Sequence, residues 1–321
     1  MLVSTYLLLL TTLYQVVACQ REQRQKPPGQ RVDVGGYALH LSVSGEGEST
    51  IVLDHSLGGV EGYLLLQKLA PLGRVVTWDR AGYGWSDHSP HPRTSGQIVQ
   101  ELETALAKAD IQPPYILVGD SFGSYNMRLY AHQFPEQVQG LVLTDGLHEV
   151  GMLKMSWPLQ ILKLIFISGF LMSILGAGFG IIRLLRLLQV FELLKPNLRQ
   201  FSRSELTPVT RSFCRPKHWL TMARELWSMD ASGRQLRVAN NLGSLPIVSI
   251  KSHSFFTPSF WTFCIPLKGI NQLRDQIHHA LMGLSTDCTQ LPADESSHFV
   301  WVDQPEVMVQ AVQLVLNKIS R

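Results

Sequence analysis

Four short apolar runs, TIVLDH, RVVTWD, YILVGD and GLVLTD, limit what this chain can fold into. Each is strand-length and lacks the alternation of a sheet with one wet face, as expected of strands covered on both sides. Helical patterns separate them, notably SGQIVQELETALAKA and SYNMRLYAHQF. Strands alternating with helices imply a parallel sheet with right-handed crossovers. Upstream, RVDVGGYALHLSV alternates around a Gly-Gly turn as a β-hairpin. After Asp145 the pattern stops for roughly a hundred residues, resumes with LPIVSIK, and closes with a helical PEVMVQAVQLVLNKI. With 321 residues, 45% of them hydrophobic, the chain is long enough for one large α/β domain carrying a helical insertion.

Charge excludes a nucleic-acid binder, because the 28 basic and 25 acidic residues are mostly scattered and form no basic face. The one dense basic cluster, Arg21, Arg24, Lys26 and Arg31, follows LVSTYLLLLTTLYQVVAC, which is uncharged from Leu2 to Cys19. As a helix that segment would extend roughly 27 Å, close to a bilayer's hydrocarbon thickness. Positive charge on its far side favours an uncleaved single-pass anchor with the body on the cytoplasmic side. A cleaved signal ending at Ala18 and a lipid-modified Cys19 are the competing readings. REQRQKPPGQ, broken by Pro27, Pro28 and Gly29, reads as a linker. Cys214, Cys264 and Cys288 form neither a disulfide framework nor a metal pattern, and no Asn-x-Ser/Thr sequon occurs.

A second apolar stretch, Leu164 to Ile182, is also long enough to cross a membrane. A single crossing there would put the flanking strands on opposite sides of the bilayer, where they could not share a sheet. The stretch is therefore a lid packed on the core, or a membrane-dipping hairpin completed by RLLRLLQVFELL. The lid is the expected outcome.

Chemistry concentrates at YILVGDSFGSYNM, where a buried strand runs through Gly119-Asp120-Ser121-Phe122-Gly123 into a helical pattern. This is the G-x-S-x-G nucleophile elbow in its required setting, a strained turn whose small flanking residues let strand and helix approach. A serine needs a base oriented by an acid, and in elbow architecture these follow as acid, then base near the C-terminus. SSHFVWVDQPE supplies His298 at that place. His132 and the pair His278-His279 lie in helical stretches and fit the base less well.

Four motifs together, LDHSLGG, WDRAGYGWSD, GDSFG and SHFVWVDQPE, resemble the α/β-hydrolase superfamily from Arg31 to the end. The resemblance is to membrane-anchored, lid-bearing relatives of the epoxide-hydrolase and haloalkane-dehalogenase group. Those two chemistries use an aspartate nucleophile, whereas this chain has Ser121. The resemblance implies a mostly parallel eight-stranded sheet flanked by helices, with a helical cap inserted after the sixth strand. The corresponding division is 1–19 anchor or signal, 20–30 linker, 31–150 core, 151–244 cap and 245–321 core. It also implies an oxyanion hole from the backbone N–H groups of Phe122 and Leu57, although Ser56 replaces the family's glycine. No acid follows LPIVSIK, so the alternative family position, Asp145 after GLVLT, is the expected third member. Asp287, Asp294 and Glu295 are weaker candidates. Asp120, where relatives often carry histidine, is read as structural. Asp79 and Arg80 are expected to hold the loop of Leu57, and Trp85 to line the cleft.

The expected function is hydrolysis of an ester, thioester or amide of a hydrophobic acyl, lipid-like substrate by Ser121, His298 and Asp145 at a membrane, with neither metal nor organic cofactor. The competing readings are a non-catalytic membrane-tethered binding protein and a hydrolase of small polar substrates. The apolar insertion disfavours the last.

Overall fold

The computed structural model describes residues 2–255 and 267–320. Cys264 and the end of the segment after LPIVSIK lie outside them. Eight strands form one sheet: β1 Gln30–Asp33, β2 Ala38–Ser44, β3 Thr50–Asp54, β4 Arg74–Asp79, β5 Tyr115–Asp120, β6 Val138–Thr144, β7 Ile247–Ser252 and β8 Cys288–Ala293. Their order is β1-β2-β4-β3-β5-β6-β7-β8. The β1–β2 and β2–β4 pairs are antiparallel, and every pair from β4 to β8 is parallel. The expected hairpin is therefore present, with β1 at the edge and β2 the one strand that runs antiparallel to both of its neighbours.

Core helices after the N-terminal helix α1 (Leu2–Arg24) are α2 Gly62–Leu69, α3 Ser95–Lys108 and α4 Phe122–Gln133. Between β6 and β7 come α5 Glu149–Met152, α6 Trp157–Gly178, α7 Ile181–Leu187, α8 Val190–Leu194, α9 Arg203–Phe213 and α10 Pro216–Gln235. The chain closes with α11 Leu267–Met282, α12 Val300–Asp303 and α13 Pro305–Ile319. Strand residues alternate between two cores. Ile116 and Val118 of β5 join Leu65, Met308 and Val312 of α2 and α13, while Leu117 joins Leu102 and Tyr130 of α3 and α4. Covering both faces explains why β3 and β5 are buried at every position.

The insertion differs from the expected lid. In α6, with a mean hydropathy of 2.0 over its most apolar window, only 11% of that window is buried. Ile167 and Phe170 reach the core and α6 packs along α10, but Leu164, Ile165, Met172 and Leu175 face outward. The following RLLRLLQVFELL is not one amphipathic helix. It breaks between α7 and α8 at Gln189, whose φ is 54°. The N-terminal helix also runs past the expected anchor boundary to Arg24, because Glu22 has arginine partners on the insertion.

Candidate active site

β5 delivers Ser121 to a sharp turn with φ 48° and ψ −109°, a conformation an L-residue holds only when its surroundings impose it. The imposing contacts are local. Ser121 N–H donates to Thr144 O at 2.9 Å, and Ser124 donates to Ser121 O through both its N–H and its hydroxyl. The glycines are needed because the backbones nearly touch. A Cβ on Gly119 would lie 2.6 Å from Gly123 O, and one on Gly123 would lie 2.5 Å from Asp54 O and 2.7 Å from His55 O. Gly123 thus lets the β3 loop close over the start of α4.

His298 sits in the loop between β8 and α12, its ring stacked on Phe255 at a centroid distance of 4.4 Å. Downstream, Trp301 Nε1 donates to Thr144 Oγ1 at 3.2 Å, tying the loop to the strand that presents Asp145. His298 Nε2 lies 2.9 Å from Ser121 Oγ, and its Nδ1 lies 2.5 Å from Asp145 Oδ2. Ser121, Asp145 and His298 come from separate strand ends, and the fold brings these sequence-predicted residues into one hydrogen-bonded row. Asp287, Asp294 and Glu295 have no bond to His298 among the described residues.

Asp145 is held more fully than the sequence indicated. Its Oδ1 accepts from His278 Nε2 at 3.0 Å and Arg274 Nε at 3.2 Å, with Ser252 N–H at 3.4 Å. Burial would raise its carboxyl, but hydrogen bonds from His278 and His298 and the charge of Arg274 hold it well below the usual carboxylate range. His278 lies in a helical stretch of the sequence, yet the fold brings it to the carboxylate. Its spacing from Arg274 was the available signal, since i and i+4 share a helix face, and on α11 that face meets Asp145.

The loop after β3 is clamped from below. Arg80 donates to Asp54 Oδ1 and His55 O at 2.8 Å and to Ser56 O at 2.7 Å, and it pairs with Glu225 of α10 at 2.8 Å. Burial opposes the Arg80 charge, but Glu225 and Asp54 outweigh it and raise the guanidinium well above its usual value. Arg80 therefore does hold the loop of Leu57, and Glu225 was not foreseen. Asp79 does something else. It accepts from Trp85 N–H at 2.9 Å and faces His40 at 3.0 Å. Trp85 packs on His40, Tyr63 and Arg211.

His55 accepts from Gly62 N–H and donates to Trp78 O, so both ring nitrogens are used in the loop. Ser56 keeps a negative φ and needs no glycine, and its hydroxyl donates to Glu61. The Leu57 N–H finds no acceptor among the described residues. Phe122 opens α4, where first-turn N–H groups lack intrahelical partners. Asp120, beside the serine, is buried with an unpartnered Oδ1, and burial raises its carboxyl well above the usual value.

A family model described as the alpha/beta hydrolase fold matches residues 50–164, the stretch that carries the β3 loop, the elbow and Asp145. The chain has the α/β-hydrolase fold. A thermophilic esterase from Thermogutta terrifontis is 16% identical, with a TM-score of 0.62 over 91% of this chain and 99% of that one. A Bacillus megaterium epoxide hydrolase, solved with an inhibitor, is also 16% identical, with a TM-score of 0.61 over 90% and 100%. Likenesses at that identity show the α/β-hydrolase fold alone. Among curated relatives, an uncharacterized Schizosaccharomyces pombe protein is 37% identical over 103 residues, 32% of this chain and 19% of that protein. An uncharacterized vacuolar membrane protein of Saccharomyces cerevisiae is 30% identical over 129 residues, 38% and 20% of the respective chains. The chain spans well under half the length of the curated relatives it matches.

Proposed function

We propose that this chain is a serine hydrolase that cleaves an ester, thioester or amide of a hydrophobic acyl substrate at a membrane. The observation that carries the reading is the continuous row from Ser121 Oγ through His298 to Asp145 Oδ2, with steps of 2.9 and 2.5 Å. Ser121 Oγ attacks the carbonyl carbon as His298 Nε2 takes its proton. Asp145 accepts from Nδ1–H, fixing the tautomer and stabilising the imidazolium. The N–H groups of Phe122 and Leu57 receive the oxyanion. The bond to the leaving group breaks as that group takes the proton from Nε2. Water, deprotonated by Nε2, then attacks the acyl-serine, and the carboxylic acid leaves as Ser121 regains its proton.

Three features support a hydrophobic substrate and a membrane setting: the apolar α6, the uncharged run of α1, and the vacuolar membrane protein among the relatives. A non-catalytic binding role is disfavoured because such a role needs neither a strained Ser121 nor a carboxylate held anionic behind its imidazole. Labelling with a serine-directed fluorophosphonate tests the reading. Wild-type protein is expected to label and Ser121→Ala not to, and equal labelling of the two overturns it.

A further inference from the structure

α1 and the α6–α8 part of the insertion, far apart in sequence, both turn apolar side chains outward. Leu9 and Leu13 of α1 are 64% and 61% exposed, and Met172, Leu187 and Leu188 are 66%, 66% and 64% exposed. Burial is the ordinary fate of such residues, and exposed apolar surface on this scale marks a surface with a partner. We propose that these helices form one composite face embedded in a lipid bilayer, so that the insertion sits in the same leaflet as α1 rather than in water beneath a free tether.

The first support is that α1 is not free. Gln15, only 3% exposed, donates to Cys214 O at 2.7 Å and accepts from Arg183 Nε at 2.6 Å. Two turns further along, Glu22 pairs with Arg183 at 2.6 Å and Arg215 at 2.7 Å. At Gly180 the backbones of the insertion and α1 meet so closely that a Cβ would fall 2.3 Å from Thr11 O. α1 and α7 therefore take up their depth together.

That depth follows from helix geometry. Arg21, Arg24 and Lys26 are exposed and suited to anionic headgroups. From Arg21 back to Thr11 the helix rises about 15 Å, roughly half a hydrocarbon thickness. With the arginines at headgroup level, the start of α7 lies well inside the leaflet for an upright α1. Arg183 and the leucines of α7 fit that depth. Arg183 is turned inward onto Glu22 and Gln15, so its charge is paired, and Leu184, Leu187 and Leu188 face out. The insertion does not cross, because β6 before it and β7 after it pair directly in the sheet. It dips and returns.

This inference rests on the membrane reading above but not on the hydrolase chemistry. The test uses the full chain with its cysteines replaced by serine and an environment-sensitive fluorophore placed at Leu188→Cys or, separately, at Leu9→Cys. The probe is phosphatidylcholine–phosphatidylglycerol vesicles with brominated acyl chains. Quenching at position 188 is expected to match that at position 9 within about twofold. Quenching at position 9 alone overturns the proposal, as does shielding of position 188 by a second copy of the chain without quenching by brominated lipid. Leu187→Glu should weaken vesicle binding about tenfold or more while turnover of a water-soluble short-chain ester is kept. Unweakened binding overturns the proposal. Loss of ester turnover in wild type with quenching intact would sink the hydrolase reading and leave this one standing.

Discussion

His278 Nε2 donates to Asp145 Oδ1 at 3.0 Å while His298 Nδ1 sits on Oδ2 at 2.5 Å, so imidazoles from two different elements bind the two oxygens of one carboxylate. His278 cannot reach the reacting atoms through this contact. It acts by fixing the plane of the carboxylate and hence the direction of His298. A hydrogen bond to a charged group is worth about 1.5–3 kcal/mol, which converts to roughly ten- to a hundredfold. His278→Ala is expected to lower kcat on a short-chain ester by that factor with KM little changed. A change within twofold would show that Arg274 and Ser252 suffice to hold Asp145.

Removing the carboxylate charge should cost more. Asp145→Asn keeps the shape but can offer its amide to Nδ1, which favours the wrong tautomer at His298. Turnover should fall about a thousand- to ten-thousandfold, with circular dichroism and chromatographic behaviour unchanged. Near-normal turnover would remove Asp145 from the mechanism.

These two residues also show what was legible in the sequence and what was not. The strands and the elbow could be read because strand burial and the Gly119/Gly123 approach are local demands that leave local patterns. Asp145 could be reached only through the order and placement of family motifs. His278, Arg274 and Glu225 act across the fold, from helices whose own periodicity explains their presence without reference to a site. The outward turn of α6 is not legible in the sequence for a related reason. An apolar run reads the same whether protein or lipid covers it, and only its packing on α10 reveals which side is left open. Glu22 reads as part of a linker in the sequence, whereas in the fold Arg183 and Arg215 lie beside it.

Arg80 and Glu225 join the loop of Leu57 to the insertion through a fully buried ion pair. Removing Glu225 leaves Arg80 with Asp54 as its remaining carboxylate partner, so the loss falls below the roughly 3–5 kcal/mol of a buried charge left wholly unpaired. Glu225→Gln should therefore lower the thermal midpoint by several degrees. It should also reduce ester turnover disproportionately at temperatures where the fold persists, because Ser56 O and the oxyanion loop lose a fixed anchor. Paired unfolding and kinetic measurements check this, and unchanged stability would mean that Asp54 alone suffices to hold Arg80.

Asp120 offers a test by pH. Burial raises its carboxyl, so the folded state holds the proton more tightly than the unfolded chain does. The sign follows from linkage: the group's contribution is fully favourable below the ordinary carboxylate pKa of about 4 and is lost as pH rises from there through the folded value. Asp120→Asn keeps a neutral polar group of the same shape and removes that loss. The variant should thus melt a few degrees above wild type at neutral pH, and the gap should shrink as pH approaches about 4. Asp145 has the opposite sign: its depressed carboxyl favours the fold above the ordinary value, and that contribution is lost as pH falls through the folded one. Thermal midpoints across that pH range, measured on both proteins, decide the point. A gap that stays constant with pH would mean that Asp120 is ionised in the folded protein and held by a partner its geometry does not reveal.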